Sequence, residues 1–330
     1  MDSYQPKYLS LHKSGELEKR AERLWRRLAN CDICPRECGV NRLEGETGFC
    51  HSSKLPIVSS FCDHHGEEPA LSGKYGSGTI FFSNCNLRCC YCQNHQISQN
   101  HKRQKANEVD CHTLAGYMIY LQDKLGCHNI NFVSPSHFVP QIVKALLEAV
   151  PMGLRIPLVY NTNSYDSLET LKELDGIMDI YLPDLKYASD SRARKYSKAR
   201  NYVFHSLNAI REMHRQVGEL VVDNNGVAQR GLIVRHLILP DNIAGSRQSL
   251  NWLAKEVSPR VRVSLMSQYH PTHKAYKYSL LSRPVNIDEY EEALKAMEEA
   301  DLGEGWAQDM ASHKHYLPDF ERKDRPFEFV

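Results

Sequence analysis

Six short apolar runs, separated by longer amphipathic stretches, constrain the fold of this chain more than any other feature. The runs have the length and composition of buried strands and lie at 79–83, 130–134, 157–161, 178–182, 232–239 and 261–266. The stretches of helical length and periodicity between them include 109–124, 139–150, 167–174 and 202–217. Regular alternation of strands and helices favours a parallel sheet with crossover helices. The sequence therefore predicts an α/β fold, a partial (β/α)6 TIM-like barrel.

The composition is that of a folded protein without a special affinity for nucleic acid or membranes. The 330 residues are 42% hydrophobic, and 41 Lys and Arg against 40 Asp and Glu leave a formal net charge of +1. Such a balance does not favour a nucleic-acid partner or an anionic membrane. The first residues lack a secretory signal, and no apolar stretch has the length of a membrane span. We expect a cytoplasmic protein.

Three cysteines lie directly after the first predicted strand, at Cys85, Cys89 and Cys92. In an α/β barrel, the loops that follow strands form the face on which active sites are built. Thiolates are the usual ligands of iron–sulfur clusters, and a four-iron cubane normally takes four of them. Three cysteines therefore leave one iron of a [4Fe-4S] cluster open. Zinc is less favoured, because it generally recruits four ligands and no fourth lies beside these three. Cys90, inside the motif, is interpreted as a bystander.

An open iron of this kind can chelate the amino and carboxylate groups of S-adenosylmethionine (SAM). One electron then breaks a carbon–sulfur bond and releases a 5′-deoxyadenosyl radical, a step that the cofactor performs. The motif C-x3-C-x-aromatic-C, with Tyr91 as its aromatic residue, resembles the signature of the radical SAM superfamily. The resemblance implies a radical SAM enzyme that receives electrons from a donor such as flavodoxin or ferredoxin.

Further along, the chain resembles the glycyl-radical-enzyme activating enzymes, the group that includes pyruvate formate-lyase activating enzyme. The matching segments lie in or at the ends of predicted strands: Asn161-Thr162-Asn163, Asp184-Leu185-Lys186, Val234 to Pro240, and Tyr269-His270. Two features depart from the group, since Asn161 replaces an Asp and the second strand runs into Ser134-Pro135-Ser136-His137 where the activases carry Gly-Gly-Glu. By this resemblance the SAM-binding residues are Ser134, Asn161, Asn163, Asp184, Lys186, Arg235 and His270.

A second group of cysteines precedes the predicted barrel, at Cys31, Cys34, Cys38 and Cys50. Close neighbours of this kind are poorly placed for disulfides, and in a reducing compartment they indicate metal. Four thiolates complete either a tetrahedral zinc site or a second [4Fe-4S] cluster. The spacing leaves both open, and free thiols in a small core are the third interpretation.

Two domains follow from this organisation. Residues 1–75 are predicted to form an N-terminal helix and the four-cysteine metal-binding segment, and residues 76–330 the radical SAM partial barrel with a C-terminal extension. The segment His64 to Pro69 gathers acid and base groups before the first strand and is a candidate for the wall of the active site.

Three functions are compatible with these features. The first hypothesis is hydrogen abstraction from a protein or peptide, as the activases perform it. The second is a radical SAM enzyme for a small metabolite, which a C-terminal segment closing the barrel mouth would favour. The third is a non-catalytic iron–sulfur electron carrier, which would require neither an open iron nor an ordered SAM pocket.

Overall fold

A mostly parallel sheet forms the centre of the computed structural model, which describes residues 4–310, 318–322 and 326–327. Its strands are β1 (Val58–His64), β2 (Ser77–Phe82), β3 (Ile130–Val133), β4 (Leu158–Thr162), β5 (Ile180–Pro183), β6 (Val221–Val222), β7 (Ala228–Leu237), β8 (Arg262–Met266) and β9 (Trp306–Ala307). They are ordered β1-β2-β3-β4-β5-β7-β8-β9, and β6 pairs with β7. All neighbours are parallel except β1 with β2 and β6 with β7. The predicted α/β fold is confirmed.

Helices connect the parallel strands. Within the described residues the α-helices are α1 (Lys7–Lys13), α2 (Glu16–Arg26), α3 (Pro69–Ser72), α4 (His95–Ser98), α5 (His101–Gln104), α6 (Cys111–Asp123), α7 (Val139–Ala149), α8 (Leu168–Glu173), α9 (Asp190–Ser197), α10 (Tyr202–Val217), α11 (Ser246–Glu256) and α12 (Ile287–Glu299). Helices α6, α7, α8 and α10 correspond to the four predicted helical stretches. None of the described helices combines the length and the apolar character that crossing a membrane requires.

The strands at the middle of the sheet are buried along their whole length. Every residue of β2, β3, β4 and β5 is buried. Parallel strands covered on both faces are apolar without alternation, which is why these runs are visible in the sequence. Where the backbone of β7 passes that of Glu219, a Cβ on Gly231 would lie 2.4 Å from the Glu219 carbonyl oxygen, so only glycine fits there.

The N-terminal helices pack on the outside of this layer. Leu17, Ala21 and Leu24 form the buried stripe of α2, which lies against α7 and α8. The Arg20 guanidinium donates to the Glu173 carbonyl oxygen at 3.1 Å. The division of the chain into two domains at residue 75 stays a prediction. Strand β1 precedes residue 75, strand β2 follows it, and the two strands pair with each other.

Described residues from the end of the chain lie beside β2. The rings of Phe320 and Phe327 lie 5.2 and 5.4 Å from that of Phe81. Gln96 accepts a hydrogen bond from the Phe320 amide at 2.9 Å, which ties this segment to α4. The rest of the predicted C-terminal extension beyond Met310 lies outside the described residues.

Candidate active site

A cavity of about 750 Å³ lies at the carboxyl ends of the parallel strands. Among the predicted site residues, those that line it are Cys85, Cys89, Cys92, Ser134, Asn161, Asn163, Asp184, Lys186 and Arg235. Parallel strands end on one edge of the sheet, which brings together residues that are far apart in the sequence. His270 is half-buried and is not among the described residues that line the cavity, so its proposed contact with SAM has no support from this geometry.

The cysteine loop follows β2 and is held by backbone hydrogen bonds. The amides of Arg88 and Cys90 donate to the carbonyl oxygens of Ser197 and Tyr196, at 3.0 and 2.8 Å. The Arg88 guanidinium donates to the Cys85 carbonyl oxygen at 2.7 Å. These contacts fix the loop to the end of α9, and the three motif cysteines line the cavity.

Each of the three cysteine sulfurs has a polar neighbour. The Leu87 amide lies 3.3 Å from the Cys85 sulfur, and the Ser197 hydroxyl donates to Cys89 Sγ at 3.0 Å. The Ser98 hydroxyl lies 3.2 Å from Cys92 Sγ. Hydrogen bonds to sulfur are one of the factors that set the reduction potential of an iron–sulfur cluster.

A buried chain of hydroxyl groups continues from the Cys89 contact. The hydroxyls of Tyr187 and Ser197 lie 2.6 Å apart, and those of Tyr91 and Tyr187 also lie 2.6 Å apart. Burial raises the pKa of both tyrosines well above the usual value, so both hydroxyls are neutral at physiological pH. The aromatic residue of the cysteine motif therefore orients Ser197 through Tyr187.

Burial also controls the protonation of the motif thiols. It raises the pKa of Cys85 to about 11 and that of Cys92 to about 12. The pKa of Cys89 is raised by the same cause. Without iron the three groups are therefore neutral thiols at pH 7, and metal binding must release their protons.

A buried network of alternating charges lines the same cavity. Asp184 accepts from Arg235 Nε at 2.7 Å and from Lys186 Nζ at 2.6 Å. Arg235 also donates to Asn161 Oδ1 at 2.6 Å and lies 3.5 Å from a Glu67 oxygen. Burial alone would raise the pKa of Asp184, but Arg235 and Lys186 hold it below its ordinary value. Asp184 is therefore ionised and bonded to two cations.

Two acidic residues of the His64 to Pro69 segment lie in this cavity. Glu67 accepts from Asn131 Nδ2 at 3.1 Å, and burial raises the pKa of both Glu67 and Glu68. The sequence singled out the segment for its acid and base groups, but only the fold brings Glu67 to Arg235, which is 168 positions away. A role for this segment in the reaction stays a prediction.

Comparison with known proteins identifies the family. The model of the radical SAM superfamily matches residues 79–227. An uncharacterized protein of Methanocaldococcus jannaschii is 30% identical over 276 residues, which is 83% of this chain and 75% of that protein. The chain belongs to the radical SAM superfamily. Members of this superfamily cleave SAM reductively with an iron–sulfur cluster, which makes the protein an enzyme. The likeness to the activase branch remains a resemblance.

Among solved structures, "Structure of TYW1 with a lysine-pyruvate adduct bound" is similar with a TM-score of 0.38 and 10% identity. The similarity covers 67% of this chain and 73% of that one. A score this low does not support an argument about fold or function.

The donor set in the cavity fits the cluster that a radical SAM enzyme requires. Cys85, Cys89 and Cys92 are the only thiols among the described residues that line it. Cys90 is buried away from the cavity, and its carbonyl oxygen accepts from the Lys274 amide at 2.8 Å. Within the described part of the chain, no group of three or more His, Cys, Asp or Glu is arranged to hold a metal ion, so the fit rests on the identity of the three thiols and on the cavity that they share.

The four N-terminal cysteines of this radical SAM protein lie around a second, small cavity, together with Arg36 and Arg42. Burial raises the pKa of Cys34 and of Cys38 above the usual thiol value. A Cβ on Gly48 would lie 2.6 Å from the Cys38 sulfur, so glycine makes room for that thiol. The fold therefore brings the predicted second group of cysteines together.

Proposed function

We propose that Cys85, Cys89 and Cys92 hold the [4Fe-4S] cluster of a radical SAM enzyme that abstracts hydrogen from its substrate. The observation that carries the proposal is the cavity in which these thiols meet six polar residues from the ends of the parallel strands. When bound, the cluster supplies the electron that splits SAM, and a donor such as flavodoxin or ferredoxin replenishes it.

The polar residues of the cavity bind and orient SAM in this proposal. Lys186 faces the motif cysteines and is fixed by Asp184 at 2.6 Å, which prepares it to bind the SAM carboxylate. The amide of Asn163 lies 3.4 Å from the Cys85 sulfur, so it orients that ligand. Ser134, Asn161 and Arg235 complete the wall.

Two substrate classes remain candidates. The resemblance to activases supports a protein or peptide that delivers one hydrogen to the radical. The second candidate, a small metabolite, is favoured by one observation: Pro318 and Phe327, from the end of the chain, line the cavity. A cavity of about 750 Å³ is also within the range of small-molecule sites, about 300–1,000 Å³.

The experiment that tests the proposal uses two neighbouring cysteines. Wild type, Cys89→Ala and Cys90→Ala are reconstituted anaerobically with iron and sulfide, and 5′-deoxyadenosine is measured after addition of SAM and dithionite. We expect C89A to form none above the enzyme-free background and C90A to stay within about twofold of wild type, since Cys90 does not reach the cavity. Undiminished product from C89A would remove the assigned ligand. A loaded wild type that never cleaves SAM would indicate an electron carrier.

We also propose that Cys31, Cys34, Cys38 and Cys50 form a second metal centre. Four thiols around one small cavity, three of them buried, support a closed four-thiolate site. Both zinc and a second [4Fe-4S] cluster satisfy this donor set on composition alone.

A further inference from the structure

The segment that carries the N-terminal cysteines lies directly against the loop that carries the motif cysteines. Arg36, two residues after Cys34, donates from Nε to the carbonyl oxygen of Asn86, the neighbour of Cys85, at 2.9 Å. In the opposite direction, Arg88 donates to the carbonyl oxygen of Phe49, the neighbour of Cys50, at 2.5 Å. Two hydrogen bonds therefore join the two cysteine groups.

The guanidinium groups at this junction lack ordinary counterions. Both lie close to the Phe49 ring, with Arg36 Cζ at 3.7 Å and Arg88 Cζ at 4.6 Å from its centroid. Within the described residues no carboxylate is at ion-pair distance from either arginine. Two like charges close together in a partly buried site require nearby negative charge. Metal-bound thiolates at the two cysteine groups would supply that charge.

Arg36 also has a donor without an acceptor. Its Nη2 is buried and has no hydrogen-bond partner among the described residues, and its side chain lines the small cavity of the N-terminal cysteines. A buried donor without an acceptor is unfavourable, and more so when it is charged. Arg42, on the same cavity, is 1% exposed and reaches the Cys31 sulfur at 3.9 Å. The cavity is therefore prepared for an anionic group with hydrogen-bond acceptors.

The unpaired donor on this cavity suits an iron–sulfur cluster. A [4Fe-4S] cluster brings inorganic sulfides beside its four thiolates, and hydrogen bonds to the cluster sulfurs help to set its potential. Arg36 Nη2 is buried without an acceptor, and the Arg36 side chain lines the cavity together with the four cysteines. This donor can therefore serve the sulfurs of a cluster.

We infer that the N-terminal cysteines hold an iron–sulfur cluster and that Arg36 couples it to the cluster at Cys85, Cys89 and Cys92. The inference rests on the proposed function for the second of these clusters. Arg36 is a positioning residue in this arrangement: its cation lies between the two centres and stabilises the reduced, more negative state of each. A charge added to one centre is therefore felt at the other.

The first part of the test is metal analysis of the full-length protein, isolated and reconstituted anaerobically. We expect about eight irons per chain in wild type and about four in Cys34→Ala/Cys38→Ala, with zinc well below one equivalent in both. If the double variant is not folded by circular dichroism, Cys38→Ser, at the half-exposed position, replaces it. Stoichiometric zinc in the wild type, or unchanged iron in the folded variant, would overturn the inference.

The second part measures coupling by redox titration of the Cys85 cluster, followed by electron paramagnetic resonance. Arg36→Gln should lower its midpoint potential by about 59 mV, a tenfold change in the one-electron equilibrium. Arg36→Lys keeps the charge and should recover at least half of that shift. Arg27→Gln is the matched control, since Arg27 binds the Asp32 carboxylate at 2.7 Å and neither cysteine group.

The coupling itself is read from a double-mutant cycle. C34A/C38A should shift the potential of the Cys85 cluster in wild type, and at least half of this shift should vanish in the R36Q background. Equal shifts in both backgrounds would refute the role of Arg36. If the cluster at Cys85 still forms and cleaves SAM in that case, only the role of Arg36 is refuted and the proposed function stands. If no cluster assembles at Cys85, the proposed function is refuted instead.

Discussion

Asp184 is the centre of the buried charge network, and its replacement tests whether that network stabilises the barrel. Removing one partner of a buried ion pair costs about 3–5 kcal/mol, because the other charge stays buried without compensation. Asp184 is bonded to two cations, Arg235 at 2.7 Å and Lys186 at 2.6 Å, and all three side chains are at most 17% exposed. We therefore expect Asp184→Asn to lose about 5 kcal/mol of unfolding free energy, the upper end of this range.

Replacement of Arg235 should cost less, because its partners are not left alone. Asp184 keeps Lys186, and Glu67, whose pKa burial already raises, can take up a proton. We expect about 3 kcal/mol for Arg235→Gln. The double variant D184N/R235Q should lose about 1–3 kcal/mol less than the sum of the two single losses, since the second change removes a charge that the first has orphaned.

The assay is guanidinium unfolding at pH 7 of anaerobically purified protein, followed by circular dichroism. Arg211→Gln is the matched control: Arg211 lies 2.7 Å from Glu256, but both side chains are about half exposed, so the loss should be below about 1 kcal/mol. The pKa of Asp184 is below its ordinary value, so the D184N deficit is complete above about pH 4 and shrinks only in stronger acid. Additive losses, or equal losses for D184N and R211Q, would refute the reasoning.

Three further perturbations test other parts of the structure. Burial raises the pKa of Asp179 to about 7, so between about pH 4 and pH 7 the folded state holds a proton that the unfolded state releases. The unfolding free energy therefore falls by about 4 kcal/mol as the pH rises through this interval. Asp179→Asn should abolish the fall and give a flatter curve of unfolding free energy against pH. Ser197→Ala removes the hydroxyl that lies 3.0 Å from Cys89 Sγ. In a redox titration, the midpoint potential of the reconstituted cluster should then be more negative. An unchanged potential would mean that this hydrogen bond does not influence the cluster. Asn286→Ala breaks the capping box of α12 and should cost about 1 kcal/mol in chemical unfolding with an unchanged denaturant slope; no loss would mean that the cap is dispensable.

The parallel strands could be predicted because their burial leaves continuous apolar runs in the sequence. Strand β1 could not, since the residues of Val58–His64 that face inward include Ser60 and His64, which resemble a loop. Strand β7 begins at Ala228, four positions before the predicted run at 232, because its first residues pair with β6 as a hairpin. Two-residue strands such as β9 leave no periodic signal.

The site could be predicted where the residues follow a strand and only in part elsewhere. The positions of Asp184 and Lys186 could be predicted because both lie within three residues of the end of β5. The contact of Glu67 with Arg235 depends on tertiary packing and has no signature in the sequence. The role of His270 stays a prediction. Tyr269 takes the buried position after β8, where its hydroxyl donates to the Leu281 carbonyl oxygen, and His270 is not among the described residues that line the cavity.

The packing of the N-terminal segment also sets an order of assembly during translation. The carbonyl oxygen of Ile33 accepts from the Thr170 hydroxyl, 137 positions later in the chain. Arg42 likewise donates to the His137 carbonyl oxygen, 95 positions later. At a synthesis rate of about 5–20 residues per second, Ile33 and its neighbours Cys31 and Cys34 are made roughly 7–27 s before Thr170. During that interval their thiols are open to iron carriers, to oxygen and to one another, so the cell must deliver metal or keep them reduced before the barrel can shelter them.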